Sequence, residues 1–215
     1  MLMLRRLGES GVDANISLKL TQLGMGFDDG LAKESLLRIV AEAERLGSFV
    51  RIDMEGSAYT QKTLDIFYSL HDTHPGVGIV LQAMLRRTEQ DCRDAVARKA
   101  RVRLCKGAYK EPASAAFQDK KEVDANYDRC AAILAKAPLP AMATHDDARI
   151  EAALKAFDAA GLVKSEYELQ MLYGIRTQRA RALREKGHAV RVYVPYGSHW
   201  FPYFYRRIRE RKENL

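Results

Sequence analysis

The 215-residue chain is 47% hydrophobic and 29% charged, an ordinary globular balance that suits one sizeable core and a single domain over residues 1–215. No stretch approaches the roughly 18 consecutive apolar residues of a membrane helix, Met1–Leu4 is too short an apolar run before Arg5 and Arg6 to read as a secretory leader, and the odd, widely spaced Cys92, Cys105 and Cys130 indicate reduced thiols in the cytosol and no metal site. Net charge is +7, but five cations against two carboxylates between Tyr205 and Asn214 supply +3 of it, so a broad nucleic-acid face is not expected.

Strand and helix patterns alternate along the chain. Ile16–Leu20 reads as a strand, followed by a Gly24, Gly26, Gly30 loop. Leu31–Leu46 has apolar residues at helical spacing and is stopped by Gly47. Phe49–Met54 is the next strand and Thr60–Leu70 the next helix. Pro75-Gly76 breaks the chain before the strand Val77–Gln82. Thr88 with Asp91 three residues on is a capping-box-like helix start. Val102–Lys106 is a strand, and a long helical region is expected from about Ala113 to Ala137. Leu139–Thr144 is a strand, and Asp146 opens a helix ending near Gly161. Tyr167–Gln170 reads as a strand, Thr177–Lys186 as a helix and Ala189–Val194 as a strand, with a last helix from about Phe201.

Near-continuous apolar strands separated by amphipathic helices imply a parallel α/β sheet. Seven such units favour a (β/α)8 TIM-type barrel. A doubly wound sheet is the alternative, but no Gly-rich dinucleotide fingerprint follows any strand. In a barrel, chemistry sits where strands end. The residues there are Lys19, Asp53, Gln82, Arg103, Lys106, Thr144, His145, Gln170 and Tyr193. Each has an ordinary structural use: Asp as a helix cap, Gln as a backbone partner, His145 as part of the turn before Asp146-Asp147. Seven strands delivering polar groups to one rim points instead to a binding site. The densest stretch is Val102–Tyr109, two fixed cations followed by Gly107 and Ala108, small enough for close approach of a flat or phosphorylated group.

Seven stretches resemble one family, the flavin-dependent proline dehydrogenases, including the proline dehydrogenase half of bifunctional proline-utilisation proteins. They are Ser17–Gly24, Ile52–Glu55, Leu81–Ala83, Arg103–Tyr109, Ala143–Asp146, Tyr167–Arg176, and Tyr193–Gly197 leading to Tyr203–Glu210. They lie in family order and cover the chain from about residue 15 to its end. The resemblance implies a (β/α)8 barrel with the last helix over its mouth, bound FAD, and oxidation of L-proline to 1-pyrroline-5-carboxylate, with electrons passed to a quinone at the membrane surface. It implies Asp53 and Arg103 as catalytic residues, Arg103 approaching flavin N5. Met54, Gln82, Arg103, Lys106, Gly107, Ala108, Thr144, His145 and Gln170 match flavin-binding positions. Arg206 and Arg207 match the carboxylate clamp, with Lys19 as a third cation and Glu210 holding either arginine at helical spacing. Tyr109, Leu172, Tyr193 and Tyr203 match the wall around the pyrrolidine ring, and an aromatic at Tyr193 resembles proline rather than hydroxyproline enzymes.

Two departures carry expectations of their own. Leu7-Gly8-Glu9 resembles the end of the family's first strand, and Ser10–Ala14 is too short for a crossover helix, so the barrel is expected to be abbreviated at its first βα unit, with an exposed N-terminal side through which two copies could pair. Asp146 stands where the family often has Asn, placing extra negative charge near the flavin. The expected location is cytoplasmic, peripheral at the inner face of the membrane. The competing readings are a barrel oxidoreductase for hydroxyproline or another small cyclic amino acid, and a flavin-free scaffold of the same fold.

Overall fold

The alternation of strands and helices is seen in a computed structural model that describes residues 2–197. The strands are β1 (Ile16–Leu18), β2 (Val50–Ile52), β3 (Val77–Gln82), β4 (Val102–Cys105), β5 (Ala141–Ala143), β6 (Glu168–Leu172) and β7 (Val190–Tyr193). The helices are α1 (Leu2–Glu9), α2 (Asp29–Arg45), α3 (Ser57–His71), α4 (Thr88–Ala97), α5 (Lys120–Leu134), α6 (Asp147–Ala159) and α7 (Thr177–Glu185), with a 3-10 turn over Leu20–Leu23. The strands form one seven-stranded sheet in chain order, every neighbouring pair parallel.

Alternate residues on a strand face opposite sides. Ile52, Ile79, Leu81, Leu104, Met142 and Leu169 face the helices and are buried. Arg51, Gln82, Arg103, Gln170 and Arg191 share the other face. The sheet curls so that this polar face turns inward: Arg103 on β4 reaches Ser17 Oγ on β1 at 3.1 Å and Gln170 Oε1 on β6 at 3.4 Å, while Arg191 on β7 reaches the Asp13 carbonyl ahead of β1 at 2.9 Å. The architecture is an abbreviated TIM-type barrel, with no ladder joining β1 to β7 among the described residues. The two edge strands are only half buried, whereas β2 and β3 are buried throughout.

The helices seal the outer face by 3.6-residue periodicity. In α3 the buried set is Thr60, Thr63, Leu64, Ile66, Phe67 and Leu70; in α6 it is Ile150, Ala153 and Phe157. Asp28, Asp119 and Asp146 each accept a backbone N–H at a helix start.

Several local expectations are corrected. Residues 2–9 form a helix, not the end of a strand: Leu4 is buried in the core and Leu7 half-buried one turn on, and Arg5 Nε pairs with Glu42 of α2 at 2.8 Å. A first helix is therefore present, and no strand precedes it among the described residues. Thr88 is inside α4 and does not cap it; its hydroxyl donates to the Gln82 carbonyl, while Asp91 is bound by Arg87. The helix expected from about Ala113 begins only at Lys120. Residues 113–118 are drawn instead onto the loop after β3, through an antiparallel bridge between Leu85 and Ala116 and a Phe117 N–H donated to the Met84 carbonyl at 2.8 Å. The final helix, expected from about Phe201, lies outside the described residues.

Gly107 owes its identity to the fold. Its φ is +110°, and a Cβ there would sit 2.4 Å from the Met84 sulfur. The small residue clears Met84 as well as opening the loop. Gly107→Ala is expected to destabilise the protein by about 1–3 kcal/mol, the usual cost of forcing an L residue into such a conformation, readable as a lowered denaturation midpoint.

Candidate functional site

The carboxyl ends of the strands open into one cavity of about 1330 Å³. Its lining includes every predicted site residue that falls within residues 2–197: Lys19, Asp53, Met54, Gln82, Arg103, Lys106, Gly107, Ala108, Tyr109, Thr144, His145, Gln170, Leu172 and Tyr193. Tyr203, Arg206, Arg207 and Glu210 lie outside the described residues. Most of these residues end a strand or lie in the loop after one, and parallel strands point their ends the same way, while Arg103 and Gln170 sit within β4 and β6 on the face turned inward.

At the floor, Asp53 gathers three neighbours. Arg103 Nη2 pairs with Oδ1; Lys19 Nζ lies 2.9 Å and the Tyr193 hydroxyl 3.4 Å from Oδ2. The Arg103 guanidinium also stands over the Tyr193 ring, 5.4 Å from its centre. Two cations share one carboxylate, so the cluster carries a surplus positive charge facing the cavity. Burial works against the Lys19 ammonium, but its ion pair with Asp53 overrides that and lifts the group above 10.5. Lys19 is therefore a fixed cation at neutral pH and not a base. A folded value above the unfolded one means the pair's stabilisation is complete below about pH 10.5 and is lost as pH rises through the folded value. The gap in denaturation midpoint between the wild type and Lys19→Met is expected to shrink above pH 10.5; a gap constant to pH 12 would contradict the pairing.

A second cluster lies across the mouth. Lys106 Nζ is 2.5 Å from Asp124 Oδ1 and 2.7 Å from Asp146 Oδ2. Lys120 and Arg149 reach Asp124 at 2.7 and 3.2 Å, and Arg149 Nε reaches Asp128 at 2.7 Å. The negative charge of Asp146 is thus taken up by Lys106 and by the α6 N-terminus, where it accepts from Ala148 N–H. Asp146 does line the cavity, as a carboxylate already paired with Lys106. Asp124 and Arg149 escaped sequence reading because their helices come to the rim only through packing of α5 against α6; the Lys120/Asp124 spacing of one helical turn was the available signal.

Other side chains have structural partners as well as cavity faces. Gln82 Nε2 donates to the Glu55 carbonyl at 2.8 Å. His145 Nε2 accepts the Leu172 N–H at 2.9 Å, which fixes that nitrogen as unprotonated. Arg176, which also lines the cavity, donates to the His145 carbonyl and pairs with Asp147 at 2.5 Å. Cys105 lines the cavity too, and burial pushes its thiol up to about 11, so it is not a nucleophile at neutral pH. Among the described residues no cluster of His, Cys, Asp and Glu suits a metal, and no helix is long and apolar enough to cross a membrane.

The cavity exceeds the roughly 300–1,000 Å³ of a typical small-ligand pocket and so has room for a dinucleotide-sized group. Its donors include Arg103, Lys106, Lys120 and Thr144; its apolar wall includes Met54, Val80, Ala143, Met171 and Ile175. A large flat ligand carrying phosphates fits this mixture.

A family model described as Proline dehydrogenase matches residues 5–215. Proline dehydrogenase 2 of Bacillus subtilis (strain 168) is 40% identical over 213 residues, covering 97% of this chain and 69% of that protein. Proline dehydrogenase of Deinococcus radiodurans is 38% identical over 211 residues, covering 95% and 68%. Among solved structures, proline utilization A from Bdellovibrio bacteriovorus, inactivated by N-propargylglycine, superposes with a TM-score of 0.87 at 25% identity over 97% of this chain. A Bradyrhizobium japonicum proline utilization A variant gives a TM-score of 0.82 at 22% identity over 96% of this chain, a likeness of fold. The chain spans about a quarter of the length of these two solved chains, at 27% and 25%.

Proposed function

Because the chain belongs to the proline dehydrogenase family, we propose that it oxidises L-proline to 1-pyrroline-5-carboxylate as a single FAD-dependent domain that passes electrons to a quinone. The observation that carries this reading is the Lys19–Asp53–Arg103 cluster, a surplus positive charge on the floor of a cavity large enough for a dinucleotide.

When bound, FAD would supply the two-electron acceptor that takes hydride from the proline C5 carbon. Met54, Gln82, Arg103, Lys106, Gly107, Ala108, Thr144, His145 and Gln170 are the residues assigned to hold it. Arg103 is assigned to the centre of the ring system, where a fixed guanidinium stabilises developing negative charge without reorganising. Asp53 keeps Arg103 and Lys19 in place. Lys19 adds a cation for the substrate carboxylate, and the clamp itself is assigned to Arg206 and Arg207 with Glu210 as their partner. Tyr109, Leu172, Tyr193 and Tyr203 are assigned to the wall around the pyrrolidine ring. The apolar residues among them exclude water from the reacting carbon. A cytoplasmic protein meeting its quinone at the membrane surface is part of the same proposal.

The test is colour. Purified protein loaded with FAD is expected to bleach anaerobically on addition of L-proline, and far more slowly with 4-hydroxyproline, whose ring hydroxyl meets Tyr193. Equal bleaching by both would favour a broader cyclic amino acid substrate. Failure to retain FAD would favour the flavin-free scaffold.

A further inference from the structure

Strand β6 carries Glu168 and Gln170 two residues apart, so both side chains face the barrel interior, one layer above the other. Gln170 lines the cavity and Glu168 lies beneath it. Glu168 accepts on both oxygens: Oε1 takes Arg191 Nε at 2.7 Å and Oε2 takes Gln170 Nε2 at 2.8 Å. Burial opposes a carboxylate here, but Arg191, Gln170 and Arg51 together hold Glu168 below its ordinary range. An ionised carboxylate can only accept. An amide, in contrast, has one donating and one accepting end. With its NH2 committed to Glu168, Gln170 must turn its oxygen toward Arg103, and Oε1 lies 3.4 Å from Arg103 Nη1. The other terminal nitrogen of Arg103 is the one paired with Asp53. The run Asp53–Arg103–Gln170–Glu168–Arg191–Asp13 therefore threads the interior from the cavity floor to the opposite end of the barrel, and its polarity is set by the charge at Glu168.

We propose that Glu168, which does not line the cavity, is a positioning residue: it orients the Gln170 amide and thereby fixes the guanidinium of Arg103 against Asp53. A neutral group of the same size at this position frees the Gln170 amide to turn round and present its NH2 to Arg103, which repels the guanidinium. Arg103 then loses one of the contacts that define its place. This rests on the proposed role of Arg103 at the cavity floor, and the wild-type protein tests that role separately.

The experiment uses the full chain as wild type, Glu168→Gln, Gln170→Leu, the double variant and Arg191→Gln. Four quantities are read: anaerobic flavin reduction by proline, apparent proline affinity, the midpoint potential of bound flavin, and solvent exchange of the Gln170 side-chain amide, assigned by its loss in Gln170→Leu. Glu168→Gln is expected to slow reduction about tenfold, with proline affinity within about twofold. Its amide exchange should rise about tenfold, since a hydrogen bond to a carboxylate is replaced by a weaker one. A tenfold change in the oxidised-to-reduced ratio would move the two-electron potential by about 30 mV. In the Gln170→Leu background, Glu168→Gln should cost nothing further, because both act through one path. Arg191→Gln, which leaves the Glu168–Gln170 bond, should reduce within about threefold of wild type. Wild-type rate, potential and amide exchange in Glu168→Gln would overturn the proposal, as would full additivity with Gln170→Leu or an equal loss in Arg191→Gln. So would failure of Glu168→Gln to fold while Arg191→Gln folds, since that marks a merely structural role. A wild type that binds no flavin sinks the proposed function instead, and the amide-exchange comparison still decides whether Glu168 orients Gln170.

Discussion

Asp53→Ala is expected to lower the unfolding free energy by about 3–5 kcal/mol, the cost of removing one member of a buried ion pair. Asp53 and Arg103 keep only 9% and 10% of their side-chain surface exposed, so the Arg103 charge left behind cannot hydrate in place. Lys19, at 32% exposed, can swing toward water and recover part of its loss. At about 2–4 °C per kcal/mol for a domain of this size, the shift in Tm is roughly 6–20 °C. Asp53→Asn keeps the volume and an acceptor for one cation but removes the attraction to both, so it should fall between wild type and alanine. A variant as stable as wild type would mean that the two cations do not depend on this carboxylate, and the site would have to be rebuilt around another anion. Activity is expected to fall with stability but beyond it, since Arg103 and Lys19 lose the partner that places them.

Arg103→Met is expected to slow proline-driven flavin reduction by about 10²–10³-fold, the range seen when one preorganised charge-stabilising donor is removed, with a much smaller change in apparent proline affinity. Methionine keeps the length and packs against Tyr193, so the barrel interior stays filled, and Asp53 retains Lys19 and the Tyr193 hydroxyl. The separation of rate from binding is the informative part. Stopped-flow reduction at several proline concentrations resolves the two. Weakened binding with an unchanged limiting rate would move Arg103 from the reacting atoms to the substrate anion.

The order of elements and the site's address were legible in advance because both rest on local patterns. Apolar runs such as Val77–Gln82 could only be buried strands, and the polar residues closing them had to emerge on one rim once the strands ran parallel. The misreadings came where tertiary contact overrode a local pattern. Thr88 has the residue type of a cap, yet its hydroxyl is taken by the Gln82 carbonyl. The apolar residues near Ala116 look helical, yet they pair with the loop after β3. Leu2–Glu9 was too short for its period to outweigh the likeness to a strand end.

By itself the sequence determined a parallel α/β chain, the strand ends that bear the chemistry, and the surplus of cations among them, since each is a matter of residue type and spacing along the chain. Only the tertiary structure decided which charge meets which. Asp53 lies between Lys19 and Arg103, and Asp146 is paired with Lys106, because partners 34, 50 and 40 residues apart become neighbours through parallel pairing and curling of the sheet. Pairing energy depends on distance and burial in space, and neither is written in the spacing of residues along the chain.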